Sequence, residues 1–249
     1  MNHVVNLRMD SEHIAVVEMC DRESKNTFSQ NLVSGLMEVF QAIGTNPNIR
    51  VVVIHGYESY FCCGGTKEEL LKIYNGQLRF DALRFYDLLL QCEIPVITAM
   101  QGHAIGGGLV FGSYADLIVM AEECIYTTNF MKYGFTPGMG ATYIIPKKFG
   151  PVLGHEMLFT AANYYGIDLK KRGAQARVVK KAVVLAEAMS LAQDLAQKPV
   201  LALKELKRSL TEHIKSHVAA AVSRELEMHK ITFAQPEVKS RIEALFGSG

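Results

Sequence analysis

Two glycine-rich turns are the places where this sequence could do chemistry. The first is Ser59-Tyr60-Phe61-Cys62-Cys63-Gly64-Gly65-Thr66, between the apolar run Val51–Ile54 and a helix start near Lys67. The second closes the stretch from Cys92 to Gly108, CEIPVITAMQGHAIGGG. It has a buried-strand pattern over Pro95–Met100 and a turn through Gln101, Gly102 and His103. Gly106, Gly107 and Gly108 then lead into an apolar helical pattern from Leu109. Where no Cβ stands in the way, backbone N–H groups can approach a ligand closely. At a helix start they also carry the positive end of the helix dipole. Two such turns could aim one N–H each at a single oxygen, as a thioester carbonyl turning into an enolate requires. A tight helix entry made for packing is the plain alternative for either turn alone. No GxxxxGK[ST] is present, so a P-loop is not indicated. Gly102 to Gly106 is not GxGxxG, and there is no GxSxG elbow.

The elements that must hold these turns follow from hydrophobic spacing. Val4–Met9 and Ile14–Cys20 read as a hairpin turned at Asp10-Ser11-Glu12. Ser29 is a plausible N-cap for a helix whose apolar positions run Leu32, Val33, Leu36, Val39, Phe40, Ile43. Val51–Ile54 lacks alternation, which fits a strand covered on both faces. A second helix is predicted from about Arg79 to Gln91. Strands are predicted over Asp116–Met120, Cys124–Thr127 and Ala176–Val179, and a helix over Tyr143–Phe149. The longest helices are expected over Ala182–Gln197 and His213–His229, and Tyr143, Phe149 and Phe159 as core. Strands alternating with helices argue for an α/β fold with mainly parallel pairing.

Bulk properties set the frame. The 249 residues suit one large domain, and 49% apolar composition can fill its core. Lys+Arg 26 against Asp+Glu 25 gives a net charge of +1, with no footprint for nucleic acid or an anionic membrane. No apolar run is long enough to cross a bilayer, and the N-terminus lacks the layout of a signal peptide. Five cysteines, with Cys62 and Cys63 adjacent, suggest free thiols in a reducing cytoplasm.

Phe61-Cys62-Cys63-Gly64-Gly65 and Gly102-His103-Ala104-Ile105-Gly106-Gly107-Gly108 resemble the two oxyanion-hole signatures of the crotonase (enoyl-CoA hydratase/isomerase) superfamily. Gly134-Phe135-Thr136-Pro137-Gly138-Met139-Gly140-Ala141-Thr142 resembles its third signature, so the likeness spans nearly the whole chain. It implies a spiral of ββα units over residues 1–195. It also implies a helical C-terminal region over 196–249 that covers the site and forms trimers, often paired into hexamers. The donors would be the N–H groups of Gly65 and Gly107. Hydratases of the family carry two glutamates that activate water; the matching positions here are Val110 and Phe130. Neither can orient water or take a proton, which turns the reading from hydration to an enolate-forming reaction without a strong base.

The run Asn129–Thr142, with Glu227-Met228-His229 and Glu237–Ile242, is most similar to one subfamily. This is the decarboxylating second enoyl-CoA hydratase homologue of polyketide β-branching cassettes. The likeness implies decarboxylation of a 3-methylglutaconyl thioester on an acyl carrier protein to a 3-methylcrotonyl thioester. No cofactor is implied beyond the phosphopantetheine or coenzyme A that carries the substrate. His229 matches a histidine that acts at the substrate carboxylate, to steer it or to deliver the proton, and Arg79 stands where the subfamily has a lysine. Arginine can pair a carboxylate through two hydrogen bonds but is a poor proton donor.

Tyr74, Lys67, Lys72 and Tyr86 are further candidates near the substrate, and Phe130 and Val110 would line its pocket. Each also has an ordinary reading as a surface or packing residue. His213 and His217, spaced i, i+4 without a third ligand, read as a solvated face rather than a metal site. His103 reads as structural, and Lys132-Tyr133 as pocket wall or strand cap. Two rival activities remain: an enoyl-thioester isomerase using the same donors, and a non-catalytic carrier-binding subunit.

Overall fold

The computed structural model describes residues 4–78 and 85–246. Strands β1 (Val5–Ser11) and β2 (Ile14–Met19) form the expected hairpin, but β1 continues through Asp10 and Ser11 and the turn is Glu12-His13. Ser29 caps α1 (Gln30–Thr45) by accepting the Leu32 N–H, and Leu32, Leu36, Phe40 and Ile43 face the core. Then follow β3 (Val51–His55), β4 (Tyr60–Cys62), α2 (Lys67–Tyr74), α3 (Leu88–Gln91), β5 (Val96–Met100), β6 (His103–Ile105) and α4 (Gly107–Ser113). Next come β7 (Leu117–Ala121), β8 (Ile125–Thr127), a 3₁₀ turn over Asn129–Tyr133, α5 (Ala141–Phe149) and α6 (Pro151–Thr160). The chain ends through β9 (Tyr164–Tyr165), α7 (Gly166–Lys171), β10 (Arg177–Val179), α8 (Val184–Ala196), α9 (Val200–Thr232) and α10 (Pro236–Leu245).

Two sheets organise these pieces. The larger runs β1-β2-β3-β5-β7-β10 and is parallel from β2 onward; the smaller runs β4-β6-β8-β9. Thus β3-β4-α2, β5-β6-α4 and β7-β8-α5 each give one strand to each sheet before a helix. This is the predicted α/β spiral of ββα units. Every residue of β3 and β5 is buried, as non-alternating apolar runs require, and α8 packs on β3, β5 and β7. Tyr126 ties the sheets together: its hydroxyl donates to Met100 O at 2.8 Å and accepts the Ala121 N–H at 2.8 Å.

Several expectations need correction. The glycines of the second turn do not follow β5 directly, because three-residue β6 intervenes and pairs with β4 and β8. The helix predicted over 79–91 is, within the described residues, the single turn α3. Before it, Phe85 turns its ring onto Phe28, with centroids 4.6 Å apart. The helix predicted from His213 starts at Val200, after Pro199, and runs 33 residues, and Lys207 within it is buried. Its ammonium pairs with Asp116 at 2.8 Å and donates to Leu89 O and Ile94 O. Phe149 is core, but Tyr143 is only partly buried and Phe159 is 78% exposed. Helix α6 is apolar on more than one side, and its buried side is taken by Leu153, Met157 and Leu158.

Candidate active site

The first turn is anchored from below. Buried Asn26 donates through Nδ2 to Met19 O and Phe61 O, each at 3.0 Å, and accepts the Asp21 N–H at 2.7 Å. The Phe28 N–H donates to Gly64 O at 2.7 Å. Thr66 and Glu69 form a reciprocal capping box at the start of α2. The second turn is anchored by the Gly106 N–H, which donates to Thr127 O at 2.8 Å at the end of β8.

The two turns touch. Gly64 sits at φ +73, and a Cβ there would lie 2.8 Å from Gly107 N and 3.2 Å from Gly108 N, so only glycine fits. Among the described residues, neither the Gly65 nor the Gly107 N–H donates to a backbone carbonyl. Both glycines line one cavity of about 700 Å³. Its wall near the glycines is largely apolar, with Phe28, Leu70, Phe85, Phe130 and Met139.

The candidates named from sequence divide in two groups. Gly65, Gly107, Lys67, Tyr86 and Phe130 line the cavity. Lys67 Nζ also donates to Glu243 O at 3.1 Å, tying α2 to α10, whose end supplies Leu245 and Phe246 to the same cavity. Val110 is fully buried inside α4 and does not reach the wall, and Tyr74 is half-buried on α2 away from it. Arg79 lies outside the described residues. His229 is buried on α9, and its Nε2–H donates to Thr136 O at 2.9 Å. It stands behind the wall to which the adjoining Phe135 belongs, without lining the cavity itself. Burial pushes its pKa below the ordinary histidine value, against the raising effect of the Thr136 and Pro137 carbonyls, so the ring is neutral near pH 7.

Among the described residues, three carboxylates border the cavity: Glu23, Glu68 and Glu69. Glu68 pairs with Lys72 at 2.6 Å, which holds its carboxyl below the usual range. Glu69 is spent in the capping box, and Glu23 is exposed at the rim. Cys63 also faces the cavity, and burial pushes its thiol up to about 12. His103 accepts the Ile125 N–H at 2.9 Å, which ties β6 to β8. His213 and His217 are exposed on α9, and no metal-ligating group of three is present among the described residues.

Sequence reasoning missed Phe28, Phe85, Asn129 and Met139 on the cavity wall. Met139 had a signal in the sequence, a non-glycine between Gly138 and Gly140, and the structure holds it at φ +64.

A family model described as enoyl-CoA hydratase/isomerase matches residues 9–246. The bacillaene synthase decarboxylase PksI of Bacillus subtilis (strain 168) is 48% identical over 249 residues, covering 100% of both chains. A solved structure from a dehydratase/decarboxylase enzyme couple involved in polyketide β-branching superposes with TM-score 0.96 at 48% identity, covering 98% of this chain and 99% of that one. The ECH2 decarboxylase domain of CurF from Lyngbya majuscula superposes with TM-score 0.92 at 42% identity, covering 97% and 99%.

Proposed function

We propose that this chain, which belongs to the enoyl-CoA hydratase/isomerase family, decarboxylates a 3-methylglutaconyl-type thioester on an acyl carrier protein in polyketide β-branching. One observation carries the reading. Two glycine turns meet on a largely apolar cavity, and the wall position matching a catalytic glutamate is Phe130. Likeness to two decarboxylases at 42–48% identity over nearly the full chain supports it.

In this reading the thioester oxygen lies against the N–H groups of Gly65 and Gly107. The bond between C4 and the distal carboxyl breaks, its electron pair enters the conjugated system, and CO2 leaves. The resulting dienolate oxygen is held by the two donors, a kind of interaction worth about 3 kcal/mol each. A proton taken up at C4 gives the 3-methylcrotonyl thioester. An apolar wall favours this course, because loss of a buried charge as neutral CO2 relieves desolvation. Arg79 is proposed to bind the distal carboxylate, with Tyr86 and Lys67 as further contacts to the substrate. His229 is proposed to act at that carboxylate, for which it must exchange the Thr136 carbonyl for the substrate. Residues 196–249 are proposed to cover the site and build a trimer. The exposed apolar side chains Val152, Phe159, Leu201 and Leu210 are available to that interface.

The test is the mass of the product. Carrier loaded with a 3-methylglutaconyl group should lose one CO2 on incubation with the protein, and His229→Ala should slow the loss. An unchanged mass with the wild-type protein refutes the assignment. Turnover of an enoyl thioester without the distal carboxylate would assign an isomerase instead.

A further inference from the structure

Helix α9 grips the segment Gly134–Thr142 along one face. Glu225, His229 and Thr232 are spaced i, i+4, i+7 and therefore point the same way. Thr232 Oγ1 accepts the Thr136 N–H at 3.4 Å, and His229 binds Thr136 O. Glu225 makes the tightest rung. Its Oε2 accepts the Gly140 N–H at 2.6 Å; its Oε1 accepts the Thr142 N–H at 2.8 Å and the Thr142 hydroxyl at 2.6 Å. These donors sit at the start of α5, where an anion is favoured.

The residue next to this clamp is strained and sits in the cavity. Met139 is a non-glycine at φ +64, a conformation that persists only where its surroundings hold it. Two bonds do so: the Glu225 carboxylate on the following N–H, and the Tyr114 hydroxyl, which donates to Met139 O at 2.5 Å. The next residue, Gly140 at φ +77, has no room for a Cβ, which would fall 2.3 Å from Tyr114 Oη. Met139 in turn packs on the second glycine turn, since a Cβ on Gly107 would lie 3.0 Å from its Sδ.

We propose that Glu225 is a positioning residue for the oxyanion turn: its carboxylate fixes the Met139–Thr142 bend, and Met139 fixes the wall over the Gly107 N–H. The inference rests on the decarboxylase reading for its effect on rate, and on geometry alone for its effect on the turn. Glu225 is buried, and a structural carboxylate could have been placed there by any helix-to-loop contact. What separates it from such a contact is the strained, cavity-lining methionine that it holds. Burial raises the Glu225 pKa against the pull of its donors. With donors on both oxygens, the ionised carboxylate is the form that fits.

The test uses the full chain, with kcat counted per folded protomer at a temperature well below each variant's Tm. Glu225→Gln replaces one acceptor with a donor, and kcat is expected to fall at least about tenfold with KM within about twofold. Glu225→Asp should recover part of the loss. In a Met139→Ala background, Glu225→Gln should cost less than about a further twofold, because both changes act through one side chain. A Tm drop with unchanged kcat in the folded fraction, or losses that multiply in the double variant, would overturn the proposal. Should Glu225→Gln not fold, Tyr114→Phe releases Met139 O with Glu225 intact; it should lower kcat in the same sense, and an unchanged kcat overturns the proposal. Amide exchange separates this inference from the activity. If the wild type releases no CO2, the decarboxylase reading fails. Faster exchange over residues 105–110 in Glu225→Gln then still supports positioning, and unchanged exchange there rejects it.

Discussion

The two glycine turns have the same chemical task and are braced in different ways. The turn at Gly64–Gly65 is held on one side by the cap of its own helix and on the other by Asn26 and Phe28. Thr66 caps α2, Glu69 closes the box, and Gly65 stays partly exposed. The turn at Gly106–Gly108 is fully buried and enters α4 without any side-chain cap. Its support comes from far along the chain: Thr127, Asn129 and Met139, the last fixed by Glu225 on α9. The first turn thus has a local side-chain cap that the second lacks, and the second is braced through α9. Damage to α9 should perturb the second turn more than the first, which feels it through the contact of Gly64 with Gly107.

The sharpest way to break this contrast is at the point of contact. Gly64→Ala puts a methyl against Gly107 N from a left-handed backbone position, so both turns shift at once. Decarboxylation in a steady-state assay should fall about 10² or more. A loss under threefold would mean that the turns are not mutually constrained. A smaller effect is expected from Thr66→Ala, which removes the cap of α2. Stability should drop by about 1 kcal/mol in denaturant unfolding, while kcat changes little, since the Gly64 carbonyl remains bonded to Phe28 N–H. An equal fall in kcat would show that the cap sets the donor.

The third prediction concerns pH and has the smallest amplitude. His229 is buried with its pKa below that of an unfolded histidine, so below about 6.5 the unfolded chain binds more protons than the native one. Native stability contributed there should decline as pH falls through and below that value. His229→Gln should flatten this slope, measured as the difference in Tm between pH 7.5 and 5.5. Identical slopes in the two proteins would remove His229 from the account of how the Gly134–Thr142 segment is held.

The parts of the molecule that were legible in the sequence are those specified locally. Ser29 capping α1 and the all-apolar β3 were readable because each depends on residues within a few positions; the glycine turns were readable as motifs, although Asn26, Thr127 and Met139, far along the chain, brace them. The three-residue strands β4 and β6 were not, since their register comes from lateral partners rather than from periodicity. Lys207 carried no signal of burial; its long stem and three oxygen partners hide an ammonium that composition assigns to solvent. Phe159 looked like core because α6 is apolar around its axis, and only the packing of α5 against α6 decides which side is covered. In the candidate site, the glycines and Phe130 were found by motif. The Glu225 clamp was invisible because its partners lie 83 and 85 residues away.

Cys63 gives the site one more property. A decarboxylase of this kind releases a conjugated thioester from the cavity that Cys63 lines, and conjugated thioesters capture thiolates. Burial pushes the Cys63 thiol up to about 12, so at neutral pH the sulfur is held as the poorly nucleophilic thiol. The same burial that disfavours charge in the chamber thus shields the catalyst from alkylation by what it makes.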